Sequence, residues 1–202
     1  MPNTIGVILA GGLARRMGGG DKGASRLGDQ TILERLLDRL RPQCADVILN
    51  ANGDPGRFAE LGIPVVADEV PGFAGPLAGI LAAADWASKR PRIAWIATVA
   101  GDTPFLPMDF VTRLHAERLA EGQPLACARS NGRTHPVNGL WSVSLREELR
   151  RALSEGERKV GRWAAQQGVA IADWSGSVDP FFNVNEPGDL AEARRLVGIV
   201  DQ

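Results

Sequence analysis

Residues Ile5–Lys22 read IGVILAGGLARRMGGGDK, and the change of character along this stretch decides the fold. Ile5–Ala10 is a short apolar run with β-branched Ile5, Val7 and Ile8, which predicts a buried strand rather than a helix. The chain then enters Gly11-Gly12, Arg15-Arg16, Met17, Gly18–Gly20 and Asp21-Lys22. Glycines let backbone N–H groups approach an anion, and successive N–H dipoles form an anion-binding concavity. Arg16 and Lys22 add cations that can reach phosphate oxygens, Arg as a planar fork and Lys as a point charge. A strand running directly into such a loop predicts a phosphate site rather than a solvated Gly/Arg turn.

Two familiar phosphate motifs do not fit. Gly18-x-Gly20-x-x-Gly23 has the dinucleotide spacing, but it follows its strand too late, and no helical pattern begins before Thr31. The phosphate loop of nucleotide hydrolases requires Gly-Lys-[Ser/Thr], whereas this chain has Asp21-Lys22-Gly23.

With 202 residues the chain suits one domain with a real core. A net charge of −1 gives no electrostatic case for nucleic acid or an anionic membrane as partner. Cys44 and Cys127 have no metal-ligand spacing and no Cys-x-x-Cys, so both are expected as reduced thiols. No apolar run reaches the length of a membrane span, and the N-terminus lacks the pattern of a secretion signal. The expected compartment is the cytoplasm.

Thr31-x-x-Glu34 predicts a capping box, followed by Ile32, Leu33, Leu36, Leu37 and Leu40 at helical spacing. Strands are predicted at Val47–Leu49 and Pro64–Ala67, ending at Asn50 and Asp68. A helix beginning at Pro76 carries Leu77, Ile80, Leu81, Ala84 and Ala87 on one face. Ile93–Val99 is the strongest strand and runs into Asp102-Thr103-Pro104. A helix from about Pro107 to Glu121 follows, with His115 packed beside its apolar face. This alternation predicts a parallel sheet with helices on both faces.

The second half changes rhythm. Leu125–Arg129 and Pro136–Trp141 predict strands around a polar loop, Ser130–His135. Ser144-x-x-Glu147 predicts a helix cap. A further helix opens after Gly156-Glu157-Arg158 and stops at Gly168. Val169–Ala172 is a short strand, and Glu186-Pro187 starts the last helix. Arg150-Arg151 is expected on a solvated helix face.

Asp102, just past the central strand and level with Gly11, Asn50 and Asp68, is the strongest candidate for holding Mg²⁺, a hard cation that takes oxygen ligands. Phosphate held by Gly11-Gly12, Arg16 and Lys22, with Mg²⁺ on Asp102, describes phosphoryl or nucleotidyl transfer. Such chemistry needs positioning and charge stabilisation rather than a protein nucleophile.

Leu9–Lys22, with the pattern L-A-G-G-x-x-x-R-M-G-x-x-D-K, resembles the signature loop of sugar-activating nucleotidyltransferases, and most closely that of the molybdenum cofactor guanylyltransferases. Asn50-Ala51-Asn52, Asp68, Gly75–Gly79, Asp102-Thr103-Pro104, Gly156-Glu157-Arg158 and Phe182-Asn183-Val184-Asn185 match the same family in order. The resemblance implies a single-domain, Rossmann-like α/β nucleotidyltransferase fold. Residues 1–122 would form its nucleotide half and 123–202 its pterin half. It implies GTP and Mo-molybdopterin as substrates, Mg²⁺ as cofactor, and molybdoenzyme chaperones or other cofactor-biosynthesis proteins as partners. It assigns nucleotide contacts to Leu9, Ala10, Gly11, Gly12, Lys22, Asn50, Asp68 and Asp102, with Asp102, Lys22 and Arg16 catalytic and Asp102 the metal ligand. Arg158, Asn183 and Asn185 would face the pterin, although from the residues alone the two asparagines suit caps of the last helix equally well. Rival readings are a cytidylyl sister enzyme, a sugar-phosphate nucleotidyltransferase, and a nucleotide-binding carrier without activity.

Overall fold

The computed structural model describes residues 3–11, 25–70 and 75–200. Gly12, Arg16 and Lys22 lie outside the described residues.

The strands are β1 (Thr4–Leu9), the short pair β2 (Arg26–Leu27) and β3 (Gln30–Thr31), β4 (Asp46–Asn50), β5 (Val65–Val66), β6 (Trp95–Ala100), β7 (Leu125–Ser130), β8 (Arg133–Ser142) and β9 (Val169–Trp174). The helices are α1 (Ile32–Leu40), α2 (Pro76–Ser88), α3 (Phe110–Ala120), α4 (Arg146–Ser154), α5 (Val160–Gln167) and α6 (Pro187–Val200). Seven strands form one sheet in the order β5-β4-β1-β6-β8-β7-β9, and β2 pairs with β3 as a separate hairpin. Within the large sheet only β8 runs antiparallel to its neighbours. The α/β class and mostly parallel sheet expected from the sequence are therefore present.

Each face of the sheet has its own apolar core. One gathers Leu33, Leu36 and Leu40 of α1, Phe110 and Leu114 of α3 and Leu196 of α6. The other gathers Leu77 and Leu81 of α2, Leu149 and Leu153 of α4 and Trp163 of α5. Central strands buried on both sides read as continuous apolar runs, which is why Ile5–Leu9 and Ile96–Val99 lack alternation. α2 is buried nearly all round, from Leu77 through Ala84, rather than on the single face its spacing suggests.

The capping box at Thr31 forms as expected: Glu34 N–H donates to Thr31 Oγ1 at 3.2 Å and Thr31 N–H to Glu34 Oε2 at 2.6 Å. Three expectations are corrected. β7 and β8 reach Ser130 and Arg133, leaving only Asn131-Gly132 as the turn instead of a six-residue loop. Both turn residues have positive φ, 50° and 74°, the backbone that matches the strands' right-handed twist. The Ser144 cap does not form. Ser142 instead accepts from Ser144 N–H at 3.3 Å, and a short 3₁₀ turn, Val143–Leu145, leads into α4. Asn183 does not cap α6, its amide turning to Asp102 Oδ1 at 3.3 Å; the Asp189 carboxylate turns back to accept from the N–H groups of Asn185 and Glu186, each at 2.9 Å. Arg150 stays on a solvated face but donates across to Asp85 of α2 at 2.7 Å.

His115 packs at the opposite end of the sheet from the strand C-termini. Arg118 Nε donates to its Nδ1 at 3.3 Å, so Nε2 carries the proton shared with Thr4 Oγ1 at 2.9 Å. Burial, helped by Arg118, lowers its pKa to about 4. The folded protein therefore binds its proton less readily than the unfolded chain, whose histidine titrates near 6.5. Stability from this site is complete above pH 6.5 and is lost as pH falls toward 4. We expect His115→Gln to lose about 1 kcal/mol less stability than wild type between pH 7 and pH 5, each unit of pKa displacement being worth at most roughly 1.4 kcal/mol. Urea unfolding at the two pH values measures this.

Candidate active site

The register of β1 sets the site. Leu9 lies opposite Asn50 of β4 on one side and Ala100 of β6 on the other, so three strand ends are level. From β1 the chain builds outward through β4 and β5, then returns past β1 to lay down β6. Reversal of strand order opens a crevice at the C-terminal ends of the strands, where α/β sheets bind ligands.

Its floor is the backbone of Leu9–Gly11. Ala10 N–H donates to Asn50 O at 2.9 Å, and Leu9 O accepts from Gly101 N–H at 3.0 Å. Past the floor, Asn50, Asn52 and Asp68 form a closed network. Asn50 Nδ2 donates to Asp68 Oδ1 at 2.9 Å and Asn52 Nδ2 to Asp68 Oδ2 at 2.8 Å, while Asp68 N–H returns to Asn52 Oδ1 at 2.8 Å. Both carboxylate oxygens are thereby oriented, with lone pairs to spare. A methyl group at Gly11 would lie 3.6–4.0 Å from Asn50, Asn52 and Asp68 alike; the three polar groups gather over the one floor residue that has no side chain.

Above Asn50 sits the first turn of α2, which begins after Gly75 at Pro76. A Cβ on Gly79 would come within 2.2 Å of Asn50 Oδ1, so glycine is what lets this helix lie directly on the site. Helix N-termini carry partial positive charge and unpaired N–H groups suited to anions.

Asp102 stands on the other side of the floor, two residues beyond β6. Thr103 fastens this turn, its Oγ1 donating to Ala100 O at 2.7 Å. α1 and the turn after it hold the segment that follows: Arg35 Nε donates to Pro104 O at 3.2 Å, Arg39 Nε to Leu106 O at 2.6 Å and Gln43 Nε2 to Pro107 O at 2.9 Å. From the far half of the chain, Val184 N–H donates to Asp102 O at 2.8 Å and Asn183 Nδ2 to Asp102 Oδ1 at 3.3 Å. The structure thus brings Leu9, Ala10, Gly11, Asn50, Asp68, Asp102 and Asn183 to one end of the sheet.

Arg158 is tied to the chain around the end of α4. Its Nη1 donates to Leu153 O at 2.8 Å and Glu157 O at 2.7 Å, capping the end of α4, while its carbonyl lies 3.9 Å from where a Gly75 Cβ would be. Beside it, Glu157 accepts from the N–H groups of Arg158 and Lys159, each at 2.8 Å, and from Arg162. The Arg162 guanidinium and these backbone donors lower the Glu157 pKa to about 2. The Asn185 N–H donates to Asp189 Oδ2 at 2.9 Å.

Reading the sequence missed Asn52 as a partner of Asp68, and it missed Arg35, Arg39 and Gln43 as braces of the Asp102 segment. The signal for the braces was present: Arg35, Arg39 and Gln43 are spaced by four and so fall on one side of α1 and the turn that continues it.

Asp102 supplies a hard oxygen donor at the crevice rim. Among the described residues no three His, Cys, Asp or Glu side chains gather as a cage. A single carboxylate suits Mg²⁺, which keeps water and substrate phosphate in most of its coordination sphere. Among the described residues no helix is long and apolar enough to cross a membrane.

The MobA-like NTP transferase domain family matches residues 6–170. The chain is 57% identical over 202 residues to the molybdenum cofactor guanylyltransferase of Nitrobacter hamburgensis, covering 98% of this chain and 97% of that one. It is 56% identical to the molybdenum cofactor guanylyltransferase of a Bradyrhizobium species, with 98% and 94% covered. In fold it is similar to the molybdopterin-guanine dinucleotide biosynthesis protein A of Archaeoglobus fulgidus, with a TM-score of 0.75 at 22% identity over 96% of this chain and 99% of that one. A sheet whose only reversed strand is β8, a switch-point crevice beside β1 and this extent of identity place the chain in the MobA-like NTP transferase family, an enzyme family.

Proposed function

We propose that the protein transfers GMP from GTP to the terminal phosphate of Mo-molybdopterin, forming the guanine dinucleotide cofactor and releasing pyrophosphate. The observation that carries this reading is the convergence of Leu9–Gly11, Asn50, Asp68 and Asp102 on one crevice, in a chain more than half identical to named guanylyltransferases. An oxygen of the acceptor phosphate attacks the α-phosphorus of GTP, and the bond from that phosphorus to the bridging oxygen of pyrophosphate breaks. No protein nucleophile is required.

The chain's own residues perform the positioning. The oriented Asp68 carboxylate and the Leu9–Gly11 backbone take the nucleoside end. The first turn of α2 faces the same space with its N–H groups. Gly12, Arg16 and Lys22 serve the phosphates. Asp102 would hold Mg²⁺, which supplies charge neutralisation on the phosphates. Asn183 borders Asp102 on the pterin side, and residues 1–122 and 123–202 divide the two substrates between them. Arg158, whose Nη1 donates to Leu153 O of α4 and to Glu157 O, would face the pterin from the segment beside Gly75.

The test is thermal unfolding with Mg²⁺ and each of GTP, CTP, ATP and UTP. A nucleotide at about a hundredfold its Kd stabilises by roughly 2.7 kcal/mol, about 5–10 °C for a chain of this size. GTP alone is expected to give this shift. A shift with CTP in its place identifies the cytidylyl sister.

A further inference from the structure

Ser130, His135 and Asp179 form a second polar chain at the crevice end of the sheet, apart from the contacts described above. Ser130 ends β7 and is 1% exposed. Its Oγ donates to Asp179 Oδ1 at 2.7 Å and lies 2.8 Å from His135 Nε2. Phe181 N–H donates to the same carboxylate oxygen at 2.9 Å. A carboxylate accepts, so the Ser130 proton is committed to Asp179 and its oxygen must accept from the ring. His135 therefore carries its proton on Nε2 and presents a bare lone pair at Nδ1. This polarity is the reverse of a nucleophilic triad, in which the histidine takes the proton of the serine.

No described group hydrogen-bonds Nδ1. The atom is not sealed away either: among the described residues the Trp163 indole nitrogen is the one fully enclosed side-chain polar atom without a partner. The ordered chain of three side chains thus fixes the position of this open acceptor, and the ring is steadied against Phe181 with centroids 5.0 Å apart.

The location suits an acceptor substrate. Gly139 of β8 faces both Thr98 of β6 and Cys127 of β7, whereas His135 faces the next β7 residue, Ala128. Residues 136–138 therefore bulge, and Asn138 Oδ1 accepts from Ala100 N–H at 2.8 Å. The bulge sets His135 within one residue of the level at which β6 ends and leads to Asp102. From the other side, Asp179 is bound at Ser130 and Asn183 at Asp102. Four residue steps span at most about 14 Å, a length that a phosphorylated bicyclic heterocycle bridges.

We infer that His135 is a further acceptor-binding residue, its Nδ1 accepting a hydrogen bond from an N–H of the acceptor's nitrogen heterocycle in a tautomer set by Ser130 and Asp179. The inference rests on the proposed function for the identity of the acceptor. Protonation would place a hydrogen on Nδ1 and turn the acceptor into a donor. Burial and Arg133 oppose that protonation, while Asp179 favours it, and the net effect keeps the ring below its ordinary pKa.

The test is steady-state transfer from GTP to molybdopterin between pH 5.5 and 8, with wild type, His135→Phe, His135→Gln and Ser130→Ala, each first checked by its melting temperature. His135→Phe keeps the ring packing and removes the acceptor. Its KM for molybdopterin is expected to rise about tenfold, the worth of one hydrogen bond, with KM for GTP unchanged. The amide oxygen of His135→Gln recovers part of the loss. Ser130→Ala frees the tautomer and raises the same KM severalfold. In wild type the KM for molybdopterin climbs as pH falls below 6.5 more steeply than in His135→Gln, which carries only the titration of the substrate phosphate. An unchanged molybdopterin KM in His135→Phe, or both KM values rising together, overturns the inference. Wild-type protein that transfers no GMP overturns the proposed function, and this inference with it.

Discussion

Asp102→Asn is expected to fold with a melting temperature within about 2 °C of wild type and to lose transfer by about a thousandfold or more. The two effects separate because different atoms of the residue carry them. The turn is held through backbone and neighbours: Val184 N–H to Asp102 O at 2.8 Å, Thr103 to Ala100 O, and Arg35 to Pro104 O. Asparagine leaves each of these in place. What it removes is the negative charge at the crevice rim. A metal bound to phosphate contributes several kcal/mol of transition-state stabilisation, and each 1.36 kcal/mol is a factor of ten in rate. The Mg²⁺-dependent part of the GTP melting shift should shrink in the same protein. Transfer near the wild-type rate would show that Asp102 is a turn residue and no more.

Gly79→Ala should be the most damaging small substitution in α2. The added methyl would meet Asn50 Oδ1 at 2.2 Å, Asn50 Cγ at 2.9 Å and Leu9 Cδ2 at 3.0 Å. Asn50 cannot swing aside without giving up Val66 O at 3.1 Å and Asp68 Oδ1 at 2.9 Å. Nor can α2 retreat, because Leu77, Ile80 and Leu81 on either side of the glycine are fixed in the core. Overpacking of this kind costs about 1–3 kcal/mol, and moving Asn50 releases Asp68 from its bracket, so GTP affinity should fall more than about tenfold. A double-mutant cycle isolates the cause. In an Asn50→Ala background the Gly79→Ala change should cost clearly less, because the atom it strikes is gone. Equal cost in both backgrounds would place the strain elsewhere.

What the sequence disclosed and what it withheld follow from the range of the interactions. The strand-to-glycine transition at Ile5–Gly11, the capping box at Thr31 and the polar residues ending β4, β5 and β6 are local patterns, and the structure has them where they were read. The Ser130–His135 hairpin is local too, yet Asn131-Gly132 went unread as a two-residue turn because the polar residues around it resemble a loop. The brace from Arg35 and Arg39 to the Asp102 segment crosses more than sixty residues, and nothing local in α1 names its target. Asn183 reads as a helix cap or as a site residue in the sequence; in the fold its amide reaches Asp102, and Asp189 accepts from the N–H groups ahead of α6. Arg158 carries a further role that its motif does not show: its Nη1 donates to Leu153 O at the end of α4. Gly12, Arg16 and Lys22 were read from the sequence as phosphate ligands, and that reading lies outside the described residues.

The most direct test of the central claim is product formation from purified protein, Mg²⁺, Mo-molybdopterin and α-labelled GTP or CTP. The account predicts label from GTP in a guanine dinucleotide form of the cofactor, pyrophosphate in equal amount, and little product from CTP. Bound GTP with neither pyrophosphate nor dinucleotide formed, or a cytosine dinucleotide as the main product, would contradict it.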